Sequence, residues 1–76
     1  MKEFKTKDIF EASWLHSSQM PLSRLEPDSR YFWFVFNEGR KCEELSSKYW
    51  SQKAIGNIKE YVNSYKTLKD MVFSRN

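Results

Sequence analysis

The side chains able to do covalent or metal chemistry in this sequence are few and scattered. His16 is the single histidine and Cys42 the single cysteine. A tetrahedral metal shell needs several converging ligands, and a nucleophilic thiol needs a base and an orienting group; one His and one Cys on separate elements supply neither. Cys42 therefore reads as a packed helix residue, and its lack of a disulfide partner suits a reducing cytoplasm. Glu43 and Glu44 are neighbours, so a helix points them about 100° apart and does not pair them as acid and base. Gly39 and Gly56 are the only glycines, and neither opens a phosphate-cradling loop. The expectation is a protein that is not an enzyme and has no cofactor and no metal.

Recognition chemistry is better represented. Tyr31-Phe32-Trp33-Phe34-Val35-Phe36 is an unbroken run of strand formers, and the period of two sends the three Phe to one face and Tyr31, Trp33 and Val35 to the other. If helices cover the Phe face, Tyr31 and Trp33 look outward and need a cover of their own. The chain's own helices, a second copy in a homodimer or a stacked nucleobase would each serve; packing is the commoner role of a strand aromatic, and a homodimer that partly buries Tyr31 and Trp33 is expected. A base stacked on an exposed aromatic is worth about 1–3 kcal/mol while neighbouring cations follow the phosphates. In that reading Tyr31 and Trp33 form the platform, with Arg24, Arg30, Arg40 and Lys41 the nearest cations. Lys59 and Lys66, seven apart on the last helix with Lys69 nearby, form a further basic row or merely a wet surface. Single-stranded nucleic acid is the first candidate partner. The alternative is a protein-interaction module, with the aromatic face used for dimerisation or partner binding.

Positioning these residues falls to six elements. Lys2–Lys7 suits a short edge strand. Thr6 or Asp8 can cap the next segment, and Asp8 with Glu11 three residues on fits a capping box that opens a helix over 7–18; Ser17-Ser18-Gln19-Met20-Pro21 breaks the periodicity, Pro21 pushing Met20 into an extended conformation before a loop. Leu22–Glu26 and Arg30–Asn37 flank Pro27-Asp28-Ser29, a turn sequence, and predict a hairpin. Gly39, free to take a positive φ, precedes a helix over 40–53. Gly56-Asn57 marks a break before a helix over 57–74, whose apolar stripe runs Ile58, Tyr61, Tyr65, Leu68, Val72, widened by Val62 and Met71. The predicted fold is α+β in the order β-α-β-β-α-α, a three-stranded antiparallel sheet with the last helix on the face of Phe32, Phe34 and Phe36.

Composition sets the outer bounds. A chain of 76 residues and net charge +3 has material for one small core, and its thirteen aromatic side chains are the means of building it without disulfides. Residues 1–38 carry five basic and six acidic side chains and residues 39–76 eight and four, so the C-terminal helices are the basic half. The longest apolar run, six residues, falls far short of the roughly 20 that span a bilayer, so no membrane partner is expected.

The opening Phe4-Lys5-Thr6-Lys7-Asp8, the strand Phe32-Trp33-Phe34-Val35-Phe36, the pair Leu45 and Tyr49 and the closing Leu68-Lys69-Asp70-Met71-Val72 together resemble, in order and spacing, a family of short domains of unknown function from prokaryotes and their phages. The resemblance spans nearly the whole length. It implies a strand, helix, hairpin, helix layout and a cytoplasmic, viral or mobile-element setting, in which the protein-interaction alternative becomes a phage or mobile-element accessory protein acting on a host protein, and it implies no activity. Where such domains place a Gly ahead of the second strand, this chain has Ser18-Gln19-Met20-Pro21.

Overall fold

A computed structural model describes residues 2–75. The elements are β1 (Phe4–Thr6), α1 (Ile9–Ser17), β2 (Leu22–Asp28), β3 (Tyr31–Phe36), α2 (Gly39–Trp50) and α3 (Ile58–Arg75). The strands form one antiparallel sheet in the order β1-β3-β2, the α+β arrangement that the sequence predicts, with helices on one face.

The aromatic strand takes the centre because it alone has apolar side chains for both faces. Phe34 and Phe36 are buried among Leu15, Leu25 and Leu68, with Phe32 packed at the edge of this cluster. Leu22 and Leu25, three apart, would face opposite ways on a regular strand. A bulge at Ser23, where Leu22 pairs with Phe36 but Arg24 with Val35, inserts one extra residue and returns both leucines to the inner face. The predicted turn Pro27-Asp28-Ser29 moves by two residues: Pro27 pairs with Phe32 and Asp28 with Tyr31, leaving Ser29 and Arg30 as the loop, with Ser29 at φ 56°. Pro27 is tolerated because β2 is an edge strand, where its missing N–H breaks no ladder.

Helix α1 is the central element. Five consecutive residues, Glu11 to Leu15, are buried, since it packs against α3, α2 and β1. Helix α3 consequently lies mainly on α1 and not on the sheet as predicted, and only its C-terminal part reaches the Phe face, where Val72 meets Phe32 and Phe34 around a small cavity. Asp8 caps α1, its carboxylate accepting the N–H of Phe10 at 2.8 Å and of Glu11 at 3.2 Å. The reciprocal half of the capping box is absent: Glu11 turns inward, and Asp8 donates its own N–H to Thr6 Oγ1.

Both glycines serve by lacking a Cβ, not by a positive φ, which neither adopts. At Gly39 a Cβ would stand 2.8 Å from the carbonyl oxygen of Lys2, which accepts the Gly39 N–H; at Gly56 it would stand 3.0 Å from the Trp14 ring. The left-handed positions fall instead on Gln19, Ser29, Glu38 and Gln52.

Candidate functional site

The outer face of the sheet is a grid of three strands. Directly opposed residues share a face, so Val35 lies between Lys5 and Arg24, and Trp33 lies beside Glu26. The charged side chains of this face pair with one another. Arg24 reaches Glu3 at 2.8 Å and Glu26 at 2.7 Å, Lys5 reaches Glu26 at 3.1 Å, and Lys7 reaches Asp28 at 2.9 Å. Three cations and three carboxylates make the grid neutral. Its electrostatics agree: the Arg24 guanidinium holds Glu3 below the ordinary carboxylate range, Lys5 and Arg24 do the same for Glu26, and Lys7 for Asp28. Arg24 is raised by its bonds to Glu3 and Glu26.

Trp33 is built into this lattice. Its indole N–H donates to Asp28 Oδ2 at 3.1 Å, and the Lys7 ammonium lies 4.7 Å from its ring centroid. A base stacking on that ring would have to displace Lys7 from both Trp33 and Asp28. Val35 is fully buried beneath the lattice, while Tyr31 remains 63% exposed at the end of the strand. Beside Tyr31, in the hairpin loop, Arg30 helps to line a cavity of about 160 Å³ with Lys7, Ile9 and Val72.

The remaining candidate cations lie elsewhere. Arg40 and Lys41 occupy the first turn of α2 near Lys2, where Lys41 pairs with Glu38 at 3.3 Å. Lys59 and Lys66 are exposed on α3. The proposed set thus divides into Tyr31, Trp33, Arg24 and Arg30 on or beside the outer sheet, Arg40 and Lys41 at the start of α2, and Lys59 and Lys66 on α3.

One flank of α3 stands out from this paired surface. The stripe predicted to be its core face is only partly so: Leu68 is buried, Tyr61, Tyr65, Met71 and Val72 half-buried, and Ile58 and Val62 exposed, while Ser64, outside the stripe, is buried. At 100° per residue, Ile58 and Val62 lie about 80° and 120° from Leu68 around the helix, beyond the width that α1 covers. The arc running from Tyr65 through Ile58, Lys69, Val62, Phe73 and Lys66 to Lys59 spans about 120° and holds no carboxylate. Ile58 is 80% exposed and Phe73 62%. Phe10 of α1 extends the patch, half exposed and stacked on Tyr65 at 5.5 Å with the rings nearly parallel. Lys69 lies 5.8 Å from the ring centroids of both Tyr65 and Phe73, and among the described residues no ion pair engages Lys59, Lys66 or Lys69. Spacing carries a signal for this second stripe, but an apolar residue 80° from the core centre looks on a helical wheel like the margin of the core.

Two inward-facing groups also escape a reading of the sequence. Glu11 is buried and accepts from Thr6 Oγ1 at 2.6 Å, from Ser46 Oγ and from Trp50 Nε1 at 2.9 Å, tying β1, α1 and α2 together. His16 Nδ1 lies 2.8 Å from Ser64 Oγ, a nucleophile–base distance, yet Ser64 is 94% buried within α3, where helical N–H groups are committed to their own carbonyls and offer no oxyanion donors. The contact works as a tie between α1 and α3. Cys42 is fully buried, with its thiol against the Asn37 carbonyl at 3.4 Å, and burial pushes its pKa up to about 11, away from the thiolate a nucleophile requires. Among the described residues no cluster of three metal-ligating side chains forms, and no helix is long and apolar enough to cross a membrane.

No curated protein and no solved structure matches the chain. A family model does match, over residues 1–74. The chain belongs to the family described as a domain of unknown function, DUF5659.

Proposed function

We propose that this protein is a non-enzymatic binding module, at work in a reducing cytoplasm, whose partner is another protein and whose working surface is the flank of α3 with Phe10. The carrying observation is the contrast in charge state between the two faces. The cations of the outer sheet are committed to Glu3, Glu26 and Asp28, whereas Lys59, Lys66 and Lys69 flank exposed Ile58, Val62 and Phe73. Exposed apolar side chains rimmed by charge are the composition of an interaction surface.

Single-stranded nucleic acid on the outer sheet is the second reading, favoured by the exposure of Tyr31 beside Arg30. It requires phosphates to take Lys7 and Arg24 from their carboxylates. In the favoured reading the protein works without a second copy on the outer sheet, because the charged lattice over Trp33 and Val35 lies where that copy would pack.

Titration with a single-stranded oligonucleotide at about 50 mM salt, where electrostatic affinity is greatest, separates the readings. The expected result is weak binding that Trp33→Ala leaves unchanged. A loss of about 5- to 150-fold in Trp33→Ala, the worth of one stacked base, would restore the sheet as the site.

A further inference from the structure

We infer that the flank of α3 docks an acidic amphipathic helix of a partner protein, laid along α3 from Ile58 to Phe73. The inference rests on the reading of that flank as the working surface and adds the chemistry of what it takes.

Fifteen steps of α-helix separate Ile58 from Phe73, about 22 Å at 1.5 Å per residue, which is four turns of a partner helix. Within that length Ile58, Val62 and Tyr65 recur at steps of four and three, the spacing at which one helix offers ridges and grooves to another. Phe73 closes the far end, and Phe10, stacked on Tyr65, widens the strip on the α1 side. The cations lie along the other margin and between the apolar side chains: Lys59 and Lys66 about 20° apart around the axis and two turns apart along it, with Lys69 in the middle of the arc. An occupant must therefore bring apolar anchors at helical spacing and carboxylates beside them.

The aliphatic anchors decide between classes of partner. Ile58 and Val62 offer a nucleic acid neither a hydrogen bond nor a stacking surface, while they suit Leu or Phe of a helix. A bilayer surface would want a broad apolar face immersed together, and here Lys69 is set in the middle of the apolar strip. A second copy is disfavoured because its flank brings Lys59, Lys66 and Lys69 with Asp70 alone as a bordering carboxylate, too little to match the three cations.

The test uses a labelled peptide of about 20 residues with Leu at i, i+3 or i+4 and i+7 and Glu on the flanking positions, followed by fluorescence anisotropy. Its controls are a shuffled peptide of the same composition and a counterpart with Lys in place of Glu. The expected result is binding at least about tenfold tighter than either control and weakening as salt is raised. Val62→Glu should lose most of it, and Lys59→Glu with Lys66→Glu and Lys69→Glu should switch preference to the Lys peptide. Circular dichroism of each variant shows that the fold is kept, as exposed positions allow. Equal affinity for the three peptides, or none, would overturn the inference. Binding of phosphatidylserine vesicles or an oligonucleotide, but not the peptide, that Val62→Glu abolishes would overturn the acidic helix and leave the flank as the working surface. Binding of any probe that ignores the flank variants and is lost in Trp33→Ala would overturn both.

Discussion

A carboxylate shut away from water with no cation beside it has to be held by neutral donors, and Glu11 is held by three of them: Thr6, Ser46 and Trp50. That arrangement commits one residue from each of β1 and α1 and two from α2 to a single point, so the tie is set by tertiary contacts and not by the local pattern. A capping box at Asp8 and Glu11 was half legible because the Asp8 half is local, whereas donors 35 and 39 residues downstream leave no trace in spacing. The left-handed residues carry the same lesson and lend themselves to test. Gln19 holds φ 69° with a Cβ that such a conformation resists, so Gln19→Gly should stabilise the protein by about 1 kcal/mol in urea unfolding despite the added freedom of the unfolded chain. Gly39→Ala should do the opposite, by about 1–3 kcal/mol, because its Cβ meets a backbone carbonyl that cannot rotate away. A neutral Gly39→Ala would mean that Lys2 yields freely. Sequence reasoning credits glycine with a positive φ; here the requirement is for space against a residue 37 positions away.

At the scale of elements, the strand pattern, the order of helices and the inward face of β3 were legible because each follows from a period of two or 3.6 within one segment. The parity of the Phe face is consistent with burial of Phe34 and Phe36. The hairpin loop and the seat of α3 were not legible, since a bulge at Ser23 and the choice of α1 over the sheet depend on what other segments leave uncovered. The outer sheet adds a pH dependence with a definite sign. Glu3, Glu26 and Asp28 are held below their ordinary values in the fold, so their contribution is present above the unfolded carboxylate pKa of about 4 and is lost as pH falls through the lower folded values. The thermal midpoint should therefore hold steady from about pH 7 to 5 and decline below about pH 4, and high salt should flatten the decline. A variant combining Glu3→Gln, Glu26→Gln and Asp28→Asn should show a shallower decline than the parent. Equal slopes would place the acid sensitivity elsewhere.

For the whole molecule, the core concentrates on the inner face of the sheet against α1, with Leu68 the one residue of α3 in its fully buried part. Phe34→Ala, at the middle of β3 and 3% exposed, should cost about 3–5 kcal/mol, read from the urea midpoint at unchanged m-value; a loss under about 1 kcal/mol would reverse the assignment of the two faces. The basic excess of the C-terminal half was legible from composition. Which cations are already spent was not, because ion pairs such as Arg24 with Glu3 or Lys7 with Asp28 join segments 21 residues apart. That difference in pairing, closed on the sheet and open on α3, decides where a partner binds, and amide chemical-shift mapping reads it out residue by residue. With the acidic amphipathic peptide added to isotopically labelled protein, the expected shifts concentrate at Phe10, Ile58, Val62, Lys66 and Phe73, with Trp33, Val35 and Arg24 undisturbed. Shifts centred on Tyr31, Trp33 and Arg24 would contradict it.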